Sequence, residues 1–106
     1  MDEQEQVVIN LIVNSGSARS SAIEAIQYAK AGDLDKADES LQNAKETVNE
    51  AHHAQTELIQ AEIRGEKAPL NLLMVHAQDH LMTALVVIDL AQEFIDLYKK
   101  KSLFAQ

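Results

Sequence analysis

Two histidines and one aspartate stand close together in an otherwise apolar part of the chain. In the sequence Val-His-Ala-Gln-Asp-His-Leu-Met-Thr, His76 and His80 are one helical turn apart and Asp79 lies between them. Ionisable groups are costly to bury unless they are paired, neutral or bound to an ion. The chain contains no lysine or arginine between Lys67 and Lys99 that could serve as a local partner. These three groups therefore define a candidate site.

A transition-metal site is one chemistry that this pattern allows. His76 and His80 have the i, i+4 spacing that lets two imidazoles hold one ion, and H-x-x-D-H resembles the reversed zinc-protease motif with aspartate in place of glutamate. The shorter carboxylate and the lack of an evident further ligand weaken this interpretation. A protease cleft would also need more chain than 106 helical residues supply.

A phosphoryl carrier is the second chemistry. A neutral imidazole is a good nucleophile toward phosphorus, and such transfer mainly requires positioning and charge stabilisation. On a helical wheel Asp79 shares one apolar stripe with Val75 and Met82. If that stripe lay on a threefold axis, three carboxylates would converge and would need protonation or a bound cation. His76, about 60° away around the helix, would flank such an axis.

Helical periodicity runs through the whole chain. The first helix is predicted from about Glu3 to Ala31. Its middle, around Gly16, is either a break or part of one long helix, and the unbroken phase of the apolar residues favours the long helix. Gly32 is predicted to end this helix in a left-handed conformation, and Asp33 to cap the next one.

The second and third helices are predicted over residues 34–63 and from Pro69 to about Lys101. Two short connections between three helices indicate an all-α, antiparallel up-down-up bundle, with residues 1–106 as a single domain. The third helix is apolar over more than half its circumference, which indicates either a partner subunit or an unusually deep position inside the monomer. His52 and His53, at mostly polar positions, are interpreted as ordinary surface residues.

Composition excludes several classes of function. The chain has 17 acidic and 9 basic residues and a net charge of -8, which argues against binding to nucleic acid or to an anionic membrane. It contains no cysteine, so disulfide and thiolate chemistry are absent. The beginning of the chain is acidic and no apolar run approaches about 18 residues, which predicts a cytoplasmic protein without membrane insertion.

The segment Val75–Thr83 resembles the active-site signature of the IIA components of the lactose/cellobiose/chitobiose class of the bacterial phosphoenolpyruvate-dependent sugar phosphotransferase system (PTS). The resemblance extends to the segments Asn14–Ser20, Gly32–Asp33, Glu50–His52, Gln55–Ile59 and Asp96–Tyr98. His-Ala-Gln and Asn-Ser-Gly look more like the cellobiose/chitobiose branch than the lactose branch.

The resemblance implies a homotrimer of three-helix bundles, a nine-helix assembly. It implies that His76 accepts a phosphoryl group on Nε2 from phospho-HPr and passes it to the cysteine of the IIB component, while the membrane IIC component imports the sugar. Asp79 falls on the position that binds one Mg²⁺ shared by three subunits. Gln78 matches a position that can hydrogen-bond the phosphoryl oxygens, and His80 belongs to the signature as an auxiliary residue. The alternative is a metal-binding or scaffolding bundle without phosphoryl transfer.

The attack on phosphorus is expected to be in line and to come from the neutral His76 ring. Its Nδ1 proton would then be held by a backbone carbonyl one turn earlier or by a neighbouring side chain.

Overall fold

Three α-helices make up residues 2–104, the part of the chain that the structure, a computed structural model, describes. Helix α1 spans Glu3–Lys30, α2 spans Leu34–Ile63 and α3 spans Leu72–Phe104. No strand occurs within residues 2–104, so the prediction of an all-α protein is confirmed. The predicted ends of the domain, residues 1 and 106, lie outside the described residues.

Side-chain contacts show how the helices run. Early in α2, Asp38 accepts a hydrogen bond from Lys99, late in α3, at 2.8 Å. Later in α2, Gln55 donates to Gln78, near the start of α3, at 2.7 Å. The helices α2 and α3 are therefore antiparallel, and the short connection of residues 31–33 returns α2 along α1. The result is an up-down-up bundle 59 Å long in which α1 and α3 are parallel.

The first connection has the predicted turn chemistry. Gly32 has a φ of +88°, a conformation that side chains with a Cβ rarely adopt. The Lys36 amide donates to Asp33 Oδ1 at 3.1 Å, so Asp33 caps α2 as predicted. Gly16 lies inside α1, which runs through the polar segment without a break. The continuous-helix interpretation is therefore confirmed.

The start of α3 differs from the prediction. We expected Pro69 to begin this helix, whereas α3 begins at Leu72. Asn71 provides the cap, because its Oδ1 accepts from the Met74 amide at 2.8 Å and its carbonyl accepts from the Val75 amide at 3.1 Å. A side-chain acceptor satisfies an otherwise unpaired amide at the helix start, which proline cannot do. The helix also continues beyond Lys101, to Phe104.

Alanine dominates the core. Small side chains let helix axes approach to about 8 Å, so that backbones as well as side chains exclude water. The buried alanines are Ala18, Ala22, Ala25, Ala29, Ala37, Ala44, Ala51, Ala77, Ala84 and Ala91. Ser15 lies among them with a fully buried hydroxyl that has no hydrogen-bond partner within residues 2–104.

One face of α3 is apolar but uncovered. It carries large side chains that are about half exposed or more, and we call it the α3 apolar stripe. The stripe consists of Leu72, Val75, Met82, Val86, Leu90 and Leu97. Within the described part of the chain, no helix combines the length and the apolar character needed to cross a membrane.

Candidate functional site

His76 and His80 form a direct contact on α3. The Nε2 atoms of the two rings are 3.0 Å apart, and the rings meet edge to face with centroids 4.3 Å apart. The i, i+4 spacing on one helix brings them together. His76 is exposed, whereas His80 is partly buried.

The contact restricts the tautomers of the two rings. Between two neutral imidazoles one Nε2 must donate and the other must accept. When His80 donates, His76 presents its Nε2 lone pair and carries its proton on Nδ1. This is the tautomer needed for nucleophilic attack by His76 Nε2. The contact with His80 is made at Nε2, so the expected partner of the Nδ1 proton stays a prediction.

An open groove adjoins the histidine pair. His80 lines it from α3, and the opposite wall is a row of side chains on one face of α1. This wall consists of Gly16, Arg19, Ser20, Ile23, Glu24, Gln27 and Tyr28. At Gly16 the groove is wide, since a Cβ built there would meet nothing within 4 Å. The Glu24 carboxylate, one helical turn before Tyr28, raises the pKa of Tyr28.

Asp79 is exposed and lies about 60° around the α3 axis from His76. It lies in line with the α3 apolar stripe, between Val75 and Met82, as the helical wheel predicts. Its carbonyl accepts from the Thr83 hydroxyl, and its carboxylate makes no salt bridge within residues 2–104. No group of three or more potential metal ligands occurs in the described part of one protomer.

Gln78 lies on the opposite flank of α3 from His76, about 160° away around the helix axis. Its Oε1 accepts from Gln55 Nε2 at 2.7 Å, and its own Nε2 lies 3.6 Å from Met74 Sδ. The structure therefore does not bring Gln78 to the histidines within one protomer. In the sequence, Gln55 stands out only as the first residue of the resembling segment Gln55–Ile59. The spacing of residues along the sequence contains no signal that it orients Gln78.

The remaining histidines have no part in this site. His53 Nε2 lies 3.3 Å from Glu57 Oε1 on the exposed face of α2, and His52 is exposed as well. Arg19 is the residue at the groove that sequence reasoning missed. It occurred in the resembling segment Asn14–Ser20, but only the parallel packing of α1 and α3 reveals that it neighbours His80.

In this all-α bundle the third helix carries an exposed His76 in contact with a partly buried His80, an arrangement that suits a phosphoryl-accepting module. The family model described as "PTS system, Lactose/Cellobiose specific IIA subunit" matches residues 6–99. The chain belongs to this family. It is therefore a phosphotransferase component of a sugar transport system, and the identification made from the sequence is confirmed.

Individual relatives agree with this assignment. The lichenan-specific phosphotransferase enzyme IIA component of Bacillus subtilis is 54% identical over 99 residues, which cover 93% of this chain and 90% of that protein. The cellobiose-specific component of Lactococcus lactis is 47% identical, with 89% and 81% covered. The lactose-specific component of Staphylococcus epidermidis is 41% identical, with 95% and 97% covered.

Solved structures show the same fold. The PTS cellobiose-specific enzyme IIA from Bacillus anthracis superposes with a TM-score of 0.93 at 58% identity, covering 97% of this chain and 94% of that one. The IIA(chitobiose)-HPr complex of the N,N'-diacetylchitobiose branch of the Escherichia coli phosphotransferase system gives a TM-score of 0.81 at 41% identity. There the coverage is 96% and 99%.

Proposed function

We propose that His76 is the residue that carries the phosphoryl group, accepting it from phospho-HPr and passing it to the cysteine of a IIB component. The observation that carries this proposal is the exposed His76 ring with its Nε2 held 3.0 Å from His80 Nε2. Membership of the IIA family and the likeness to a IIA-HPr complex support the donor. The sugar is of the cellobiose, chitobiose or lactose type, and a IIC component imports it.

The same atom, His76 Nε2, takes part in both phosphoryl-transfer steps. The His76 Nε2 lone pair attacks phosphorus in line, the new N–P bond forms, and the N–P bond of the donor histidine breaks with its electron pair returning to that nitrogen. In the second step the thiolate of the IIB cysteine attacks the same phosphorus and His76 recovers its lone pair. His80 must release His76 Nε2 for this reaction, after which its N–H can donate to a phosphoryl oxygen.

Labelling with enzyme I, HPr and phosphoenolpyruvate tests the proposal. Mass spectrometry should show one acid-labile phosphoryl group per chain, and none for His76→Ala. The matched control is His53→Ala, which removes an exposed histidine of α2 and should be labelled like the unmodified protein. A chain that folds but gains no phosphoryl group would leave the alternative of a metal-binding or scaffolding bundle. Labelling of His76→Ala would show that the phosphorylated residue is not His76.

We propose further that the protein is a homotrimer built on the α3 apolar stripe. The stripe leaves large side chains such as Leu72, 85% exposed, in water, and burial against other copies would remove that apolar surface. Val86→Glu should turn the trimer into folded monomers in light scattering, because Val86 is 55% exposed in one protomer. Ile63→Glu, at the end of α2, is the control. A monomeric unmodified protein would refute the trimer.

In such a trimer Asp79 would be repeated three times near the axis. One protomer supplies a single carboxylate, but three converging carboxylates offer the oxygen ligands that Mg²⁺ prefers, and they fit one shared ion. The ion would neutralise their repulsion when bound. Asp79→Leu should therefore give a trimer that no longer responds to added Mg²⁺ or to a chelator. A chelator-insensitive trimer of the unmodified protein would contradict the shared ion.

Trimer geometry also gives Gln78 a role. Around a threefold axis through Asp79, the flank that carries His76 in one copy faces the flank that carries Gln78 in the next. The predicted hydrogen bond from Gln78 to the phosphoryl oxygens would then be made between subunits, with Gln55 orienting the amide.

Because the chain has a net charge of -8, we expect its HPr and IIB partners to dock through basic or apolar surfaces. We expect the protein to be located in the cytoplasm.

A further inference from the structure

The groove beside the histidine pair contains Arg19, which has no salt-bridge partner among the residues that the structure describes. Arg19 is the only basic residue of α1 before Lys30. It lines the groove together with His80, and it forms no salt bridge within residues 2–104. Glu24, the acidic residue of the same groove, forms no salt bridge with Arg19. A guanidinium without a carboxylate partner in an acidic protein is available to another anion.

The packing of the helices places Arg19 and His80 at the same groove. Side chains on an α-helix lean toward its N-terminus, so the Arg19 side chain extends toward the level of Gly16. On the facing wall of the groove the His80 ring lies with its Nε2 3.0 Å from His76 Nε2. Gly16 leaves this level of the groove open. The His80 ring therefore lies between the groove that Arg19 lines and the His76 ring.

We propose that Arg19, with the His80 ring and the Ser20 hydroxyl, forms an oxyanion subsite that holds the phosphoryl oxygens while the group is on His76 Nε2. This inference rests on the proposed function and extends it to a residue outside the Val75–Thr83 segment. An arginine presents planar, bidentate N–H donors that match phosphoryl oxygens. The subsite gives an acidic protein a local positive charge where a dianion must bind.

Single-turnover transfer from phospho-HPr tests Arg19. At saturating phospho-HPr, Arg19→Gln should lower the maximal rate at least about tenfold, as expected for loss of charge-assisted hydrogen bonds to the phosphoryl group. Arg19→Lys should fall between Arg19→Gln and the unmodified protein. The matched control is Lys30→Gln, which removes one positive charge from the same helix about 16 Å away and should change the rate less than about twofold.

Phosphoramidate, a small phosphoryl donor, separates this role from docking of the donor protein. Arg19→Gln should slow labelling of His76 by phosphoramidate by a similar factor. If the substitution changes only the phospho-HPr concentration needed for half-saturation and leaves the phosphoramidate rate intact, Arg19 is a docking residue and the subsite is refuted. An unchanged maximal rate refutes it too.

A second variant tests the subsite without replacing Arg19, so that a folding defect of Arg19→Gln cannot account for the result. Gly16→Leu keeps Arg19 but places a large side chain in the open part of the groove, so transfer should slow although helix content, followed by circular dichroism, is retained. Normal transfer in Gly16→Leu would contradict the subsite. Failure of the proposed function has a different signature, because the unmodified protein itself would then not be labelled at His76.

Discussion

Replacing Ser15 by alanine should stabilise the protein, because Ser15 buries a hydroxyl without a partner. The side chain is fully buried inside one protomer, and its Oγ has no hydrogen-bond partner within residues 2–104. An unsatisfied buried polar group costs about 1–3 kcal/mol. Alanine also has the higher helix propensity, by up to about 0.5 kcal/mol. Removing one oxygen loses only a small amount of dispersion energy. We therefore expect the free energy of unfolding to rise by about 2 kcal/mol.

Urea unfolding followed by circular dichroism measures this change. With a slope of about 2 kcal/mol per molar urea, the midpoint should rise by about 1 M. The control is Ser17→Ala, an exposed position of α1 where only the helix propensity changes. Both variants must be compared at one protein concentration, since assembly contributes to apparent stability. If Ser15→Ala gains no more than Ser17→Ala, the buried hydroxyl is satisfied in solution and the reasoning fails.

Three further predictions concern the bundle. Leu81→Ala, at a fully buried core position, should lower the free energy of unfolding by about 2–5 kcal/mol in the same urea assay, and a smaller loss would mean that the core collapses around the cavity. Asn71→Ala should cost about 1 kcal/mol by removing the cap of α3; an unchanged midpoint would show that the cap is dispensable. The hydrogen bond with Asp38 raises the pKa of Lys99. The stability from this pair is thus fully present below the unfolded pKa of about 10.4 and is lost as the pH rises through the folded value. Asp38→Asn should remove this part of the alkaline destabilisation in thermal melts, and an unaltered alkaline profile would contradict the pair.

Local chemistry made most of the helix boundaries predictable from the sequence. Gly32 and Asp33 end one helix and cap the next through interactions within a few residues, so the sequence alone determines the turn. Continuity through Gly16 followed from the phase of the apolar residues. The error at Pro69 arose because both proline and asparagine are helix-start residues, and the better cap, Asn71, lay two positions later.

The contacts of the candidate site are of two kinds, those within one helix and those between helices. The contact between His76 and His80 follows from i, i+4 spacing on one helix and was therefore predictable. The pairing of Gln78 with Gln55 and the position of Arg19 beside His80 depend on how separate helices pack. No spacing within one segment encodes such contacts, because they join residues that are far apart in the chain.

Identifying the phosphorylated atom tests the central claim most directly. Two-dimensional NMR that correlates ³¹P with the ring nitrogens of the ¹⁵N-labelled protein, after phosphorylation by enzyme I and HPr, reveals which histidine and which nitrogen carry phosphorus. We expect a single N–P correlation, to Nε2 of His76. A correlation to Nδ1 of His76, or to any nitrogen of His80, would contradict the assignment of His76 Nε2 as the nucleophile.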